Sequence, residues 1–172
     1  NELGLRALYT TKKNPRYAYI APFYAQAKNI AWEYLKEAAE PFTASSKDIR
    51  ESDLSVKLVN GAVIRLYGAD NIDALRGIYL DGVVLDEFGD CRPGLWAEVI
   101  LPTLSDRKGW ATIIGTPKGK NTFYDMTENA KTDPTWYFAE LKASETKIID
   151  TDELKAMKRQ MTDAQYDQEM EC

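Results

Sequence analysis

Two adjacent acids, Asp86 and Glu87, are the residues of this sequence best suited to chemistry. They follow the apolar run Val83-Val84-Leu85, which is typical of a buried strand. At such a strand end, one acid can hold Mg²⁺, which prefers oxygen ligands and retains waters. The other can orient or deprotonate an attacking water, as phosphoryl transfer requires. The alternative is an ordinary strand that ends at the surface on two solvated acids.

A second polar strand end follows about thirty residues later. The strand 111–114 runs into Gly115 and Thr116, which offer close backbone approach and a hydroxyl group. Lys118 and Lys120 flank the next glycine and can reach phosphates. The alternative is a Pro-Gly turn with solvated lysines. If the two strands are parallel neighbours, their polar ends lie at the same edge of the sheet.

Gln26 and Arg76 are further candidates on the remaining loops. Gln26 lies in a helix that directly follows a strand ending at Ala21-Pro22, although a plain strand–helix turn would look the same. Arg76 precedes the acidic strand. An exposed loop arginine is usually solvated, but beside a phosphate it can stabilise charge in the transition state, in its own subunit or a neighbour's.

Composition limits the chemistry that these residues can perform. The 172 residues suit one domain, and no apolar run approaches the length of a membrane helix. The absence of histidine excludes Ser-His-Asp and Cys-His catalysis and histidine metal sites. Two cysteines, Cys91 and Cys172, do not suggest a disulfide framework, and we expect a reducing cytoplasm. The net charge of -5 excludes a basic footprint over the whole surface, although a local patch remains possible.

The elements that must position these residues follow from periodicity and turn signals. Residues 53–69 predict a hairpin, with Asn60-Gly61 as a type I′ turn. Helices are predicted at 2–11, 23–42, 94–105 with a kink or break at Pro102, 121–132, 151–161 and 163–170. Other strands are predicted at 17–21, 83–87, 109–116 and 135–143. This alternation predicts an α/β fold with a mostly parallel sheet and flanking helices.

Three segments, YIAPFYAQAK, LRGIYLDGVVLDE and IIGTPKGKNTFYD, resemble in order and spacing the ATPase domain of the large terminase subunit. This subunit is the DNA-packaging motor of tailed bacteriophages. The closing MTDAQYDQEMEC resembles the segment that leads into the nuclease domain of that family. The resemblance implies a P-loop NTPase core of the additional-strand class with an inserted β-hairpin at 1–145. It also implies a helical tail at 146–172.

The resemblance also implies roles for the candidate residues. The segment 83–86 would be the Walker B strand, with Asp86 serving Mg²⁺ and Glu87 as the catalytic carboxylate. Gly115-Thr116-Pro117 would be the coupling motif. Arg76 would be an arginine finger. The nucleotide contacts would then be Gly115, Thr116, Lys118 and Gln26.

The cofactors implied by the resemblance are Mg²⁺ and ATP. The implied partners are double-stranded DNA, the portal protein, the small terminase subunit and further copies of the chain in a ring, with no membrane. The implied location is the host cell cytoplasm. Local basic candidates for DNA contact are Lys118, Lys120, Arg107 and Lys108.

Two other interpretations remain open. A helicase-like nucleic-acid translocase would also have an acidic strand followed by a polar strand end. A non-enzymatic α/β interaction module would carry the same acids in solvated form. A phosphate-binding loop upstream would favour the two enzymes, and a downstream nuclease domain would select the terminase.

The sequence lacks the motif G-x-x-x-x-G-K-[ST], which cradles phosphates. In the family this loop precedes the first helix, and we expect it upstream of Asn1. Without its amide donors and lysine, the 172-residue chain alone should show no measurable ATP turnover in an assay with Mg²⁺. Robust Mg²⁺-dependent hydrolysis by this segment would contradict the expectation.

Overall fold

The computed structural model describes residues 2–116 and 118–171. The chain forms two compact units, Asn1–Ile114 and Gly115–Cys172. These two units are defined by how the chain packs and not by function. The predicted boundary at residue 145, between the ATPase core and the helical tail, therefore stays a prediction. None of the described helices is long and apolar enough to cross a membrane.

The first unit is built on a six-stranded sheet of order β2-β3-β4-β1-β5-β6 among the described residues. Strand β1 lies in the middle, parallel to β4 on one side and to β5 on the other, and β5 is parallel to β6. Only β2 and β3 add antiparallel pairs. The strands are β1 Arg16–Ala21, β2 Ile49–Arg50, β3 Ser55–Lys57, β4 Val63–Gly68, β5 Gly82–Leu85 and β6 Trp110–Ile113.

Helices flank this sheet. Helix α1 is Glu2–Leu8. Helix α2, residues 24–39, joins Tyr24–Ala27, a π-helical segment Lys28–Trp32, and Glu33–Ala39. Helix α3, residues 95–105, joins a π-helical segment Leu95–Ile100 to Leu101–Ser105. Short 3₁₀ turns lie at Glu40–Phe42, Ser46–Asp48, Ile72–Ala74 and Phe88–Asp90.

The second unit is helical in the residues described. Its helices are α4 Thr122–Ala130, α5 Ala143–Thr146, α6 Thr151–Gln160 and α7, residues 163–171. Side-chain caps fix three helix starts, because Asn121, Asp150 and Thr162 each accept a hydrogen bond from a first-turn amide. The helices predicted at 121–132, 151–161 and 163–170 are confirmed.

The strand predicted at 135–143 is wrong. These residues form no strand, and Tyr137 and Leu141 are 91% and 72% exposed. Residues with high β propensity do not form a strand when no sheet edge pairs with them. Pro102 does not interrupt α3, since the change from π-helical to α-helical geometry falls just before it.

The hairpin is confirmed, but its turn type is not. A type I′ turn requires positive φ at both central residues. Within the turn, which is fully described, Gly61 has a φ of 84° and Asn60 is not among the residues with positive φ. The Gly61 amide donates to the Leu58 carbonyl at 2.8 Å. The Asn60 side chain donates to the carbonyls of Ala7 and Leu8 at 2.8 Å, so its conformation serves the end of α1.

Glycine at position 82 allows β5 and β6 to pack closely. A Cβ atom added there would lie 2.3 Å from the indole ring of Trp110, its partner in the strand register. The Trp110 ring in turn packs 6.3 Å from the Tyr17 ring and lies under the Arg6 guanidinium.

At the amino end of β5, the carboxylate of Asp81 is fully buried and holds three segments together. It pairs with Lys12 Nζ at 3.0 Å and Arg107 Nε at 3.1 Å, and it accepts the Arg16 amide at 3.0 Å. Burial alone would raise the pKa of Asp81. The hydrogen bonds from Arg107, the Arg16 amide and Lys12 outweigh that effect and hold this pKa below its usual value.

We expect Asp81→Asn to lower the free energy of unfolding by about 2–3 kcal/mol at pH 7, because two cations lose a buried partner. Urea unfolding followed by tryptophan fluorescence measures the change. A lowered pKa stabilises the fold above a pH of about 4, and this contribution disappears as the pH falls through the native value. The loss should therefore shrink in acid. The exposed Asp106→Asn is the control, and equal losses in the two variants would contradict a stabilising role of the buried Asp81 pairing.

Candidate functional site

Asp86 is fixed directly beyond the carboxyl end of β5. Its amide donates to the Ile20 carbonyl of β1 at 2.8 Å, which extends the pairing of the two strands. One carboxylate oxygen accepts the Glu87 amide at 3.0 Å, and the other accepts the Tyr19 hydroxyl. Asp86 is half-buried. Both oxygens are therefore oriented before any ligand binds.

Glu87 leaves the strand in a left-handed conformation, with φ 47° and ψ 46°. Strand 83–87 is thus shorter than predicted, because β5 ends at Leu85 and both acids follow it. Alternation along a strand would point successive side chains to opposite faces, and the left-handed residue ends that alternation. This conformation costs a residue with a Cβ atom about 1–2 kcal/mol, and such outliers occur often at functional sites.

Buried contacts hold the turn after Glu87 in place. The Phe88 ring is 3% exposed, and the Phe88 amide donates to the Ile114 carbonyl at 3.0 Å. The Asp90 amide donates to the Glu87 carbonyl at 2.9 Å. Burial raises the pKa of the Cys91 thiol to about 12, so this cysteine is a poor nucleophile. The carboxylates remain the reactive groups of this turn.

Tyr19 is a site residue that was not predicted from the sequence. This residue pairs with Val84 in the parallel register, which places its ring one step before the strand end and its hydroxyl on Asp86. Burial and then the hydrogen bond to Asp86 raise the pKa of Tyr19, so the phenol is neutral and donates. Its position two residues before Ala21 was visible in the sequence, but the register that aligns it with Asp86 was not.

The neighbouring strand ends are confirmed in the first unit. Strands β5 and β6 pair in parallel, with Leu85 opposite Ile113, and the Ile114 amide donates to the Leu85 carbonyl at 2.9 Å. Gly115, Thr116 and Lys118 belong to the second unit, and their position relative to Glu87 stays a prediction. Pro117 lies outside the described residues.

Gln26 and Arg76 occupy different surroundings. Gln26 is half-buried in the first turn of α2, directly after the carboxyl end of β1, and hence at the same edge of the sheet as Asp86. Arg76 is exposed in the loop between β4 and β5. Within the described chain, its side chain has no hydrogen bond or ion pair, and only its amide bonds to the Ile72 carbonyl at 3.2 Å.

The donor set fits Mg²⁺ better than a transition metal. No cluster of three or more His, Cys, Asp or Glu side chains occurs among the described residues. Mg²⁺ is commonly bound by one or two carboxylates, with waters and substrate phosphates completing its shell. One of the two acids, Asp86 or Glu87, is sufficient to hold such an ion, and the other is then available for proton transfer.

Comparisons with known proteins point in one direction. The terminase large subunit of Thermus virus P23-45 is 39% identical over 124 residues, which cover 62% of this chain. The ATPase domain of the large terminase from Thermus phage P74-26 has a TM-score of 0.72 at 24% identity, covering 97% of this chain and 79% of that one. The large terminase of another thermophilic bacteriophage, in complex with ADP, has a TM-score of 0.70 at 12% identity, covering 97% and 42%.

The matched curated relatives are much longer than this chain, which spans 26% of their length. No protein-family model matches the sequence. The structural neighbours share the P-loop NTPase fold, which confirms the predicted fold class.

The hydrogen bond from the Tyr19 hydroxyl to the Asp86 carboxylate should stabilise the fold more than a tyrosine hydrogen bond to a neutral acceptor does. We expect Tyr19→Phe to lower the free energy of unfolding by about 1–2 kcal/mol, since bonds to charged groups are the stronger ones. Tyr17→Phe is the matched control on the same strand, because Tyr17 donates to the neutral Arg6 carbonyl at 3.3 Å. In urea unfolding, Tyr19→Phe should couple with Asp86→Asn by about 1 kcal/mol, and Tyr17→Phe should be additive with it. Additivity of both tyrosine variants would contradict the assignment.

Proposed function

Because this chain is a homologue of bacteriophage terminase large subunits, we propose that it is the ATPase segment of a viral DNA-packaging motor. In this motor, hydrolysis of Mg-ATP drives double-stranded DNA into a procapsid. The observation that carries the proposal is the acid pair Asp86–Glu87, held beyond β5 where β6 ends beside it. Ligands of open parallel sheets bind at this edge.

The two acids have different roles in the proposed reaction. Asp86 holds Mg²⁺, and its orientation is set by Tyr19 and the Glu87 amide. The bound ion supplies charge that neutralises the phosphates. Glu87 orients the attacking water and accepts its proton. Because the backbone at Glu87 is left-handed, the alternation of side chains along β5 does not continue to this residue. The two acids therefore need not point to opposite faces of the sheet.

The remaining candidates have supporting roles. Gln26, Gly115, Thr116 and Lys118 contact the nucleotide, and Gly115-Thr116-Pro117 couples hydrolysis to movement. Arg76 serves as an arginine finger. Its exposed side chain, with no partner in the described residues, suits action on the nucleotide of an adjacent copy.

A ring of copies then works with double-stranded DNA, the portal protein and the small terminase subunit in the host cytoplasm. Nucleotide binding is supported by the structural neighbour solved with ADP. The homology to terminase large subunits favours this function over a helicase or an interaction module.

The proposal predicts distinct effects of the two acids in the intact subunit. Glu87→Gln should lower ATP turnover by at least about 100-fold, as expected on losing a general base, and leave nucleotide affinity nearly unchanged. Asp86→Ala should also weaken Mg²⁺-dependent nucleotide binding. Turnover is measured by phosphate release and affinity by a fluorescent ATP analogue.

Arg76→Ala should reduce turnover and be rescued by mixing with Glu87→Gln subunits if the finger acts between copies.

Glu98→Gln is the matched control, because Glu98 is an exposed acid in α3. It should behave as the unmodified protein. Wild-type turnover in Glu87→Gln would show that another group activates the water.

A further inference from the structure

The amino ends of β1, β5 and β6 form a basic surface at the edge of the sheet opposite Asp86. We call it the basic end. Its cations lie in the loop before β1, at the first residue of β1 and in the loop before β6, and they are Lys12, Lys13, Arg16, Arg107 and Lys108. This concentration is unexpected in a chain of net charge -5. Asp81 and Asp86 flank the four residues of β5, so about 17 Å of extended strand separates the two edges.

The one buried acid of the basic end is already neutralised. Asp81 bonds to Lys12 and Arg107, and those two cations also join the loops directly. Lys12 Nζ donates to the Arg107 carbonyl at 2.6 Å, and Arg107 donates to the Lys13 carbonyl at 2.8 Å. These contacts form a scaffold that fixes both loops.

An aromatic ring orders the arginines further. The guanidinium carbons of Arg16 and Arg107 lie 5.7 Å and 5.0 Å from the centre of the Tyr79 ring, within cation–π range. The Tyr79 hydroxyl donates to the Asn14 carbonyl at 3.1 Å. The ring therefore links the loop before β1 to the loop before β5.

Three cations are left over from this scaffold. Lys13, Arg16 and Lys108 have no carboxylate within ion-pair distance among the described residues, and all three are exposed. Asp106 is the exposed acid in the loop before β6. Counting Asp81 and Asp106 against the five cations leaves a net charge of +3 at the basic end.

We propose that the basic end binds the phosphate backbone of double-stranded DNA. The choice of DNA as the polyanion rests on the proposed function. From β1 across β5 to β6 is two strand spacings, or about 10 Å. Duplex DNA carries one charge per ~1.7 Å of its axis when both strands are counted, so about six phosphates lie along such a length. Lys13, Arg16 and Lys108 contact them without reading the sequence.

The composition of the surface favours DNA over an acidic protein partner. Protein interfaces are centred on buried apolar, aromatic and arginine anchors that pack into pockets of the partner. The large exposed hydrophobic side chains of the described chain include none from residues 10–16, 76–81 or 105–110. Phosphate contacts require only cations held in place, and the scaffold provides these.

The test measures binding of the intact subunit, without nucleotide, to a fluorescent random-sequence duplex across a salt series. The variant Lys13→Ala/Arg16→Ala/Lys108→Ala keeps the Asp81 scaffold. Loss of three phosphate contacts should lower the slope of log affinity against log salt by about 2.7, and affinity at ~50 mM salt should fall at least tenfold. Anisotropy of the labelled DNA reports both quantities.

A charge-matched control removes three exposed lysines elsewhere in the first unit, Lys28, Lys47 and Lys57. It should change the slope by less than about 1. Should the loss of Arg16 impair folding, Lys13→Ala/Lys108→Ala retains the stack on Tyr79 and should lower the slope by about 1.8.

Equal effects of the two triple variants, or none, would overturn the proposal. So would unchanged DNA affinity with weakened self-association in sedimentation, which would assign the surface to a protein contact. Because nucleotide is absent, the result is independent of ATP hydrolysis. If the subunit hydrolyses ATP but its DNA affinity does not depend on these cations, only the proposed DNA surface is refuted. If its DNA affinity depends on them but it does not hydrolyse ATP, only the proposed ATPase function is refuted.

Discussion

The parallel pairing of β5 between β1 and β6 is the constraint on which the rest of the unit depends. Hydrogen bonds continue past both ends of this short strand, from the Asp81 amide to Arg16 and from the Asp86 amide to Ile20. Each end of β5 therefore presents an acid at a fixed place. A strand of four residues is thus sufficient to position two chemically different surfaces.

The two acids differ in how their charge is satisfied. Asp81 is fully buried, and its charge is compensated by two cations and an amide. This charge therefore stabilises the fold and is not accessible to a ligand. Among the described residues, half-buried Asp86 accepts hydrogen bonds from a hydroxyl and an amide and forms no ion pair, so its negative charge is oriented but not neutralised. Such a carboxylate retains the ability to attract a cation. Burial and pairing thus separate a structural acid from a candidate functional one.

The sequence was sufficient for features that depend on local pattern. It predicted the strand before Asp86, a neighbouring strand over 111–114 that the structure places at Trp110–Ile113, and the helices capped by Asn121 and Asp150. Features decided by distant contacts were missed. They include Tyr19 on Asp86, the buried pairing of Asp81, and the left-handed conformation of Glu87. The residues 135–143 show the opposite error, because their composition favours a strand and no edge receives them.

The contact between Gly82 and the Trp110 ring has a consequence for how such a sheet can diverge. A methyl group at position 82 would fall inside the indole, and the indole is held by Tyr17 and Arg6. Position 82 can therefore be enlarged only when position 110 carries a smaller side chain. Among distant homologues, these two sites should change as a pair, leaving a covariation signal on the strand pair that carries the acids.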